Sequence, residues 1–247
     1  KVGSRNTGTL INFKPNPSYF DSSKFSVSRL KHLLRAKAVL CPGLKVVFVD
    51  ETASNEAEKQ FDWYFEHGLE DYIGAELEGL ELLPEVPFTG SMEGQEEAVD
   101  WAVQWQMESG DLISESYVNL IPTTQGGTHV NGLRAGLLEA LREFCEFRNL
   151  VPRGLKITAE DIWDKCNYVL SVKMVEPQFA GQAKERLNSR QAVTFISGVV
   201  KDSFSLWLNQ HISDGEAIAE LAISSAQTRL RAGKKVARKK PTSGPAL

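Results

Sequence analysis

The sequence predicts an α+β fold: a mixed sheet of four or somewhat more strands, helices on one side, and long terminal helices that extend away. Three observations carry this. Val99, Trp101, Val103, Trp105 and Met107 alternate with Asp100, Ala102, Gln104 and Gln106, the period of a strand with one buried face. Asn167 to Met174 is a second apolar strand. Between and after them lie three helix-length amphipathic segments.

Taken in order, Thr9 to Phe13 reads as a short strand ended by Pro15 and Pro17, because proline lacks the amide proton a ladder needs. Ser26 caps a helix in which Val27, Leu30, Leu33 and Leu34 share a face, and Pro42-Gly43 stops it. Lys45 to Asp50 and Phe61 to Glu66 are two strands joined by the polar turn Glu51 to Asn55. A helix near Glu70 to Leu80 follows, then a proline-bearing connection, Pro84 to Pro87. Ser116 to Ile121 is expected to pair antiparallel with the Val99 strand across the Ser109-Gly110-Asp111 turn. The segment from about Val130 to Phe147 is helical and buries Leu133, Leu137, Leu141 and Phe144. After Ser189 a long helix carries Val193, Phe195, Ile196, Val199, Val200, Phe204, Leu206 and Trp207. A second long helix begins near Asp214; if it continues to Lys240 it reaches roughly 40 Å at about 1.5 Å per residue, which makes it a strut.

At 247 residues the chain can bury an ordinary core as one main domain with an attached edge. It begins at Lys1 without a methionine and has no 18-residue apolar run, so the expectation is a soluble, cytoplasmic fragment of a longer protein. Cys41, Cys145 and Cys166 are scattered, which argues against a disulfide framework. Charge is segregated beneath a net −4: the balance is +8 over residues 1–49, −18 over 50–115 and +6 over 116–247. A nucleic-acid partner would approach the basic ends; an acidic middle that merely solvates the surface is the other reading.

Three constellations bear on chemistry. Gly181-Gln182-Ala183-Lys184 puts a lysine on a glycine-flanked loop between a strand and a helix, where a mobile ammonium can reach a phosphate and a glutamine amide can add a directed donor. Taken alone this is weak, since lysines in polar loops are mostly solvated. Thr7-Gly8-Thr9 is a glycine-containing strand entry. Arg134 begins a helix behind Gly126-Gly127, and Arg229, Arg231, Lys234, Lys235, Arg238, Lys239 and Lys240 crowd the chain's end, suited either to phosphate contacts or to the helix dipole. His32, His67, His129 and His211 lie far apart and no Cys pair has zinc spacing, so no metal site is expected. Capping the next helix is the job read for His129.

Phe179-Ala-Gly-Gln-Ala-Lys-Glu-Arg-Leu187, Gly126-Gly-Thr-His-Val-Asn-Gly-Leu-Arg134 and the basic stretch Arg238 to Pro245 together resemble the B subunits of bacterial type IIA DNA topoisomerases over nearly the whole length, the topoisomerase IV kind first and gyrase B next. The resemblance implies a ribosomal-protein-S5-like transducer domain with an unusual crossover over residues 21–240. Residues 1–20 would be the last strand of a preceding GHKL-type ATPase domain, and 241–247 would start a linker. Lys184 would then reach the γ-phosphate of ATP, Gln182 would assist, and Thr9 would sit beside the adenine. Ala183 stands where the family usually has threonine and is assigned nothing. Arg134, Arg229, Lys234 and Lys235 would touch duplex DNA in a cavity the domain lines.

ATP and Mg²⁺ would belong to the full-length subunit and not to this fragment, whose sequence has no glycine-rich lid, general-base glutamate motif or Asp-x-Gly turn. The fragment alone should be inactive as an enzyme. Implied partners are the topoisomerase IV A subunit, a second B subunit and double-stranded DNA. A stand-alone DNA-binding module and a dimerisation element remain the competing classes.

Overall fold

The structure, a computed structural model, describes residues 7–22 and 24–238, with the side chains of residue 56 and of 234–238 outside the description. After a single 3-10 turn at Pro17–Tyr19 come α1 (Val27–Leu40), β1 (Val46–Val49), α2 (Glu56–Lys59), β2 (Gln60–Trp63) and α3 (Leu69–Glu76). Then follow β3 (Leu82–Glu93), β4 (Glu97–Gln106), β5 (Ser114–Val118), β6 (Ile121–Pro122) and α4 (Thr128–Arg148). The chain continues through α5 (Ala159–Trp163), β7 (Cys166–Met174), α6 (Arg190–Gln210) and α7 (Ile212–Arg238).

The main sheet has five strands in the order β3-β4-β7-β5-β6; all neighbours are antiparallel except β5 and β7, so the sheet is mixed as expected. The pairing expected between β4 and the Ser116 segment does not form. Strand β7 lies between them, pairing Val99 with Val172 on one side and Val118 with Val172 on the other. The physical reason is burial: nearly every residue of β7 is buried, so this strand takes the centre and pushes the shorter β5 outward. β1 and β2 form a separate antiparallel hairpin.

Strand β3 replaces part of the expected connection. Its register with β4 shifts between Leu83 and Phe88, a bulge that holds Pro84 and Pro87 where no ladder amide is needed. The Gln104 amide donates to the Pro84 and Glu85 carbonyls at 2.8 and 3.0 Å, satisfying acceptors the bulge frees.

Both faces of the sheet are covered, so β4 buries alternate residues in two directions. Val99, Trp101, Val103 and Trp105 face the large core with α4, α6 and α7, whereas Ala102 joins Tyr117 and Val169 against α1 and α3. The three long helices share one side, so α6 and much of α7 pack on the core where the sequence predicts terminal helices that extend away, and α1 with α3 adds a smaller layer on the other face. In α4 Leu133, Leu137, Leu141 and Phe144 are buried, as their spacing predicts.

Helix α7 is not a strut from its start. Ile218, Ala219, Ala222 and Ala226 are at most 1% exposed, and the side chains become continuously exposed only from Thr228 to Gly233. Small alanines let α7 lie close against the core. The strand expected at Thr9 to Phe13 is likewise absent: the segment has no ladder partner among the described residues, and Leu10 and Ile11 are 95% and 74% exposed. A strand needs a neighbour to satisfy its backbone, and the described residues offer none there.

Candidate functional site

Strand β7 runs into the segment 175–189, which returns to α6 as an extended loop. Its inner part is tied to the entry of α4. Leu187, fully buried, donates its amide to the Gly126 carbonyl at 3.0 Å and accepts from the Thr128 amide at 3.1 Å. Only glycine fits at 127: φ is +135°, and a Cβ there would lie 2.2 Å from the Leu187 carbonyl oxygen. Two of the three stretches that carry the family resemblance, joined through Gly127 and Leu187 sixty positions apart, are therefore one structural unit.

The loop's outer part closes on itself and on the same neighbour. Ala180 donates to Arg186 at 2.9 Å, and Asn188 donates to Gln178 at 2.7 Å. Gln125 donates its amide to the Glu185 carbonyl at 2.9 Å, and its side-chain amide to Glu185 Oε2 at 2.7 Å. At the tip the Lys184 amide bonds back to Gly181 at 3.3 Å, and Lys184 takes a left-handed conformation, φ +58°. Non-glycine residues adopt this rarely, so the turn is specified by its surroundings.

Gln182, Ala183 and Lys184 are all exposed. The Lys184 ammonium lies 5.9 Å from the Phe179 ring centroid and forms no ion pair among the described residues. Thr9 is exposed on the irregular N-terminal segment and makes no hydrogen bond to this loop.

Two of the basic residues have partners within the chain. Arg134 packs its guanidinium 5.1 Å from the Trp163 ring centroid and 3.9 Å from Glu160. Arg229 donates from Nε and one terminal nitrogen to the two oxygens of Asp161, at 2.9 and 2.8 Å. Lys234 and Lys235 continue α7, but their side chains lie outside the described residues, as do Lys239 and Lys240.

His129 does not cap α4. It is fully buried in the first turn, with Nε2 3.0 Å from Thr123 Oγ1, which in turn bonds Ser116. Burial pushes its pKa down to about 4, so the ring is neutral. The helix cap is Gly127.

A cavity of about 430 Å³ lies elsewhere, between α5 and α7, lined by Trp105, Ile162, Leu221 and the Asp161–Arg229 pair. Among the described residues no three metal-ligating side chains gather. At the loop tip the structure thus places an exposed cation with a side-chain amide two residues away, outside any enclosing pocket. Sequence reasoning found the lysine and the glycines, but missed Gln125, Glu185 and Asp161. Only Asp161 had a local signal, three residues after Thr158 in a capping box.

Such an arrangement defines an α+β domain that presents a cationic finger outward from a fixed base. The chain belongs to the DNA gyrase B family, whose model matches residues 68–238. It is 64% identical over 245 residues to the DNA topoisomerase 4 B subunit of Haemophilus influenzae and 62% identical to that of Escherichia coli K12, covering 99% of this chain and 38% of either relative. The chain thus spans well under half the length of these relatives. Among solved structures it is similar to a topoisomerase IV ATP-binding domain of Francisella tularensis, with TM-score 0.74 and 38% identity over 87% of this chain and 57% of that one. It is also similar to the 43K ATPase domain of Thermus thermophilus gyrase B, with TM-score 0.75 and 30% identity over 90% of this chain and 59% of that one. No described helix is long and apolar enough to cross a membrane.

Proposed function

We propose that this chain is the transducer portion of the ATP-consuming B subunit of a type IIA DNA topoisomerase, of the topoisomerase IV kind. On this reading residues 21–240 are the transducer, 1–20 complete the ATPase domain before it, and 241–247 begin a linker. The observation that carries it is Lys184, exposed and without an ion pair among the described residues, at the tip of a loop whose base is bonded to α4. An ammonium so placed gains a strong charge-assisted contact when a neighbouring domain brings a terminal phosphate to it, and loses that contact when the phosphate leaves. Nucleotide state then biases the angle between the two domains, because the ligand interacts differently with the two arrangements.

Gln182, two residues away and exposed, supplies a second donor. Thr9 joins the adenine side through the N-terminal segment, whose exposed Leu10 and Ile11 suit a sheet edge supplied from outside this chain. ATP and Mg²⁺ are held by the rest of the subunit, to which this chain adds the Lys184 charge, the Gln182 amide and the Thr9 contact.

The wider assembly comprises the A subunit, a second B subunit and duplex DNA in the cytoplasm. For DNA the candidates are Arg134, Arg229, Lys234 and Lys235; to reach a phosphate Arg229 must give up Asp161 and Arg134 must leave Trp163.

The test is Lys184→Ala in the intact subunit. ATP turnover should fall by about 100-fold or more, the scale of losing one positioned charge at a transition state, while nucleotide binding persists. Unchanged turnover overturns the reading.

A further inference from the structure

We infer that Gln125 and Glu185 are positioning residues for Lys184, acting through a staple between the lysine loop and the entry of α4. The inference rests on the reading of Lys184 given above. Among the described residues the Lys184 ammonium has no ion pair and lies 5.9 Å from the Phe179 ring centroid, so its location is set by the backbone beneath it. The attachment nearest to Lys184 across to α4 is the Gln125–Glu185 rung, immediately next to it in the chain, with one backbone and one side-chain hydrogen bond.

Both residues are exposed, so the rung adds little to global stability, yet it removes freedom from the tip. That is the combination expected of a positioning device. A reacting contact misplaced by about 1 Å can cost on the order of 100-fold in rate.

The rung has a second consequence. Glu185 is the carboxylate adjacent to Lys184 in sequence, and left free it competes with a phosphate for the ammonium. Gln125 holds Glu185 Oε2 at 2.7 Å, and among the described residues Lys184 has no ion pair. Gln125 therefore both anchors the loop and keeps the lysine available.

Steady-state ATP hydrolysis by the full-length subunit separates these roles. Gln125→Ala should lower kcat about 10-fold with little change in KM, because the interaction matters in the transition state. The exchange Q125E/E185Q reverses donor and acceptor at constant charge and should restore most of kcat. Glu185→Gln still accepts from Gln125 and should stay within about threefold of wild type. Hydrogen exchange of amides 181–187 should quicken in Gln125→Ala and not in the exchanged pair. If Lys184→Ala abolishes turnover while Gln125→Ala keeps wild-type kcat, the positioning role is wrong and the lysine reading stands. The positioning role is equally overturned if Glu185→Gln falls as far as Gln125→Ala, or if the exchanged pair recovers nothing. Unchanged turnover in Lys184→Ala removes both.

Discussion

Arg229 on α7 grips Asp161 on α5 with two hydrogen bonds, at 2.9 and 2.8 Å, and the Asp161 side chain is only 1% exposed. The pair fixes α7 at the point where it leaves the core. Burial raises the Asp161 pKa, and the bonds from Arg229 and Thr158 more than offset this, so the carboxyl titrates below its usual range.

Removing the guanidinium strands a nearly buried carboxylate, so Arg229→Ala should lower the urea midpoint at pH 7. A lowered native pKa adds stability above the unfolded value near 3.9 that is lost as pH falls through the native one. The gap between wild type and Arg229→Ala should therefore shrink below about pH 4. Urea melts at pH 7 and pH 3.5 check this; a constant gap would contradict it.

His129 should make stability fall on acidification over a higher range. Its native pKa of about 4 lies below the unfolded value near 6.5, so the unfolded chain binds the extra proton between those values. Stability is then full above about pH 6.5 and drops towards pH 4, by an order-of-magnitude figure of about 3 kcal/mol. Denaturant melts of wild type and His129→Gln at pH 7 and pH 5 should show the steeper slope in wild type alone.

Gly136 sits where α4 packs tightly against α6: a Cβ would be 2.7 Å from the Ser197 carbonyl oxygen and 2.9 Å from Val200 Cβ. Gly136→Ala should cost about 1–3 kcal/mol despite alanine's better helix propensity, because packed backbone cannot yield as a flexible side chain does. Thermal unfolding followed by circular dichroism reads this directly.

Leu170 and Leu206 make a matched pair. Leu170 is fully buried at the centre of β7, and Leu206 is 61% exposed on α6. Leu170→Ala should destabilise by about 2–5 kcal/mol and Leu206→Ala by about 0.5 kcal/mol or less. Equal losses would mean that the α6 face is assigned wrongly.

The site was legible to the extent that it is local. Gly181, Gln182 and Lys184 announce an exposed cationic loop by their own chemistry, and Gly126-Gly127 announces a tight turn before α4. Gln125 and Glu185 carry no such mark, since each is an ordinary polar residue until the chain brings them to 2.7 Å. The intramolecular partners of the basic residues were illegible for the related reason that an arginine's partner, such as Asp161 for Arg229, stands 68 positions away.

Periodicity by itself determined that β4 and β7 are strands and α1, α4, α6 and α7 are helices, because alternation and helical spacing are set by neighbours within a few residues. What it could not determine was which strand stands beside which. That β7 separates β4 from β5, that the prolines of β3 sit in an edge bulge, and that the first half of α7 is core were decided by tertiary packing. Strand order follows from how buried faces pair across the whole chain, and a sequence read in windows contains no term for that competition.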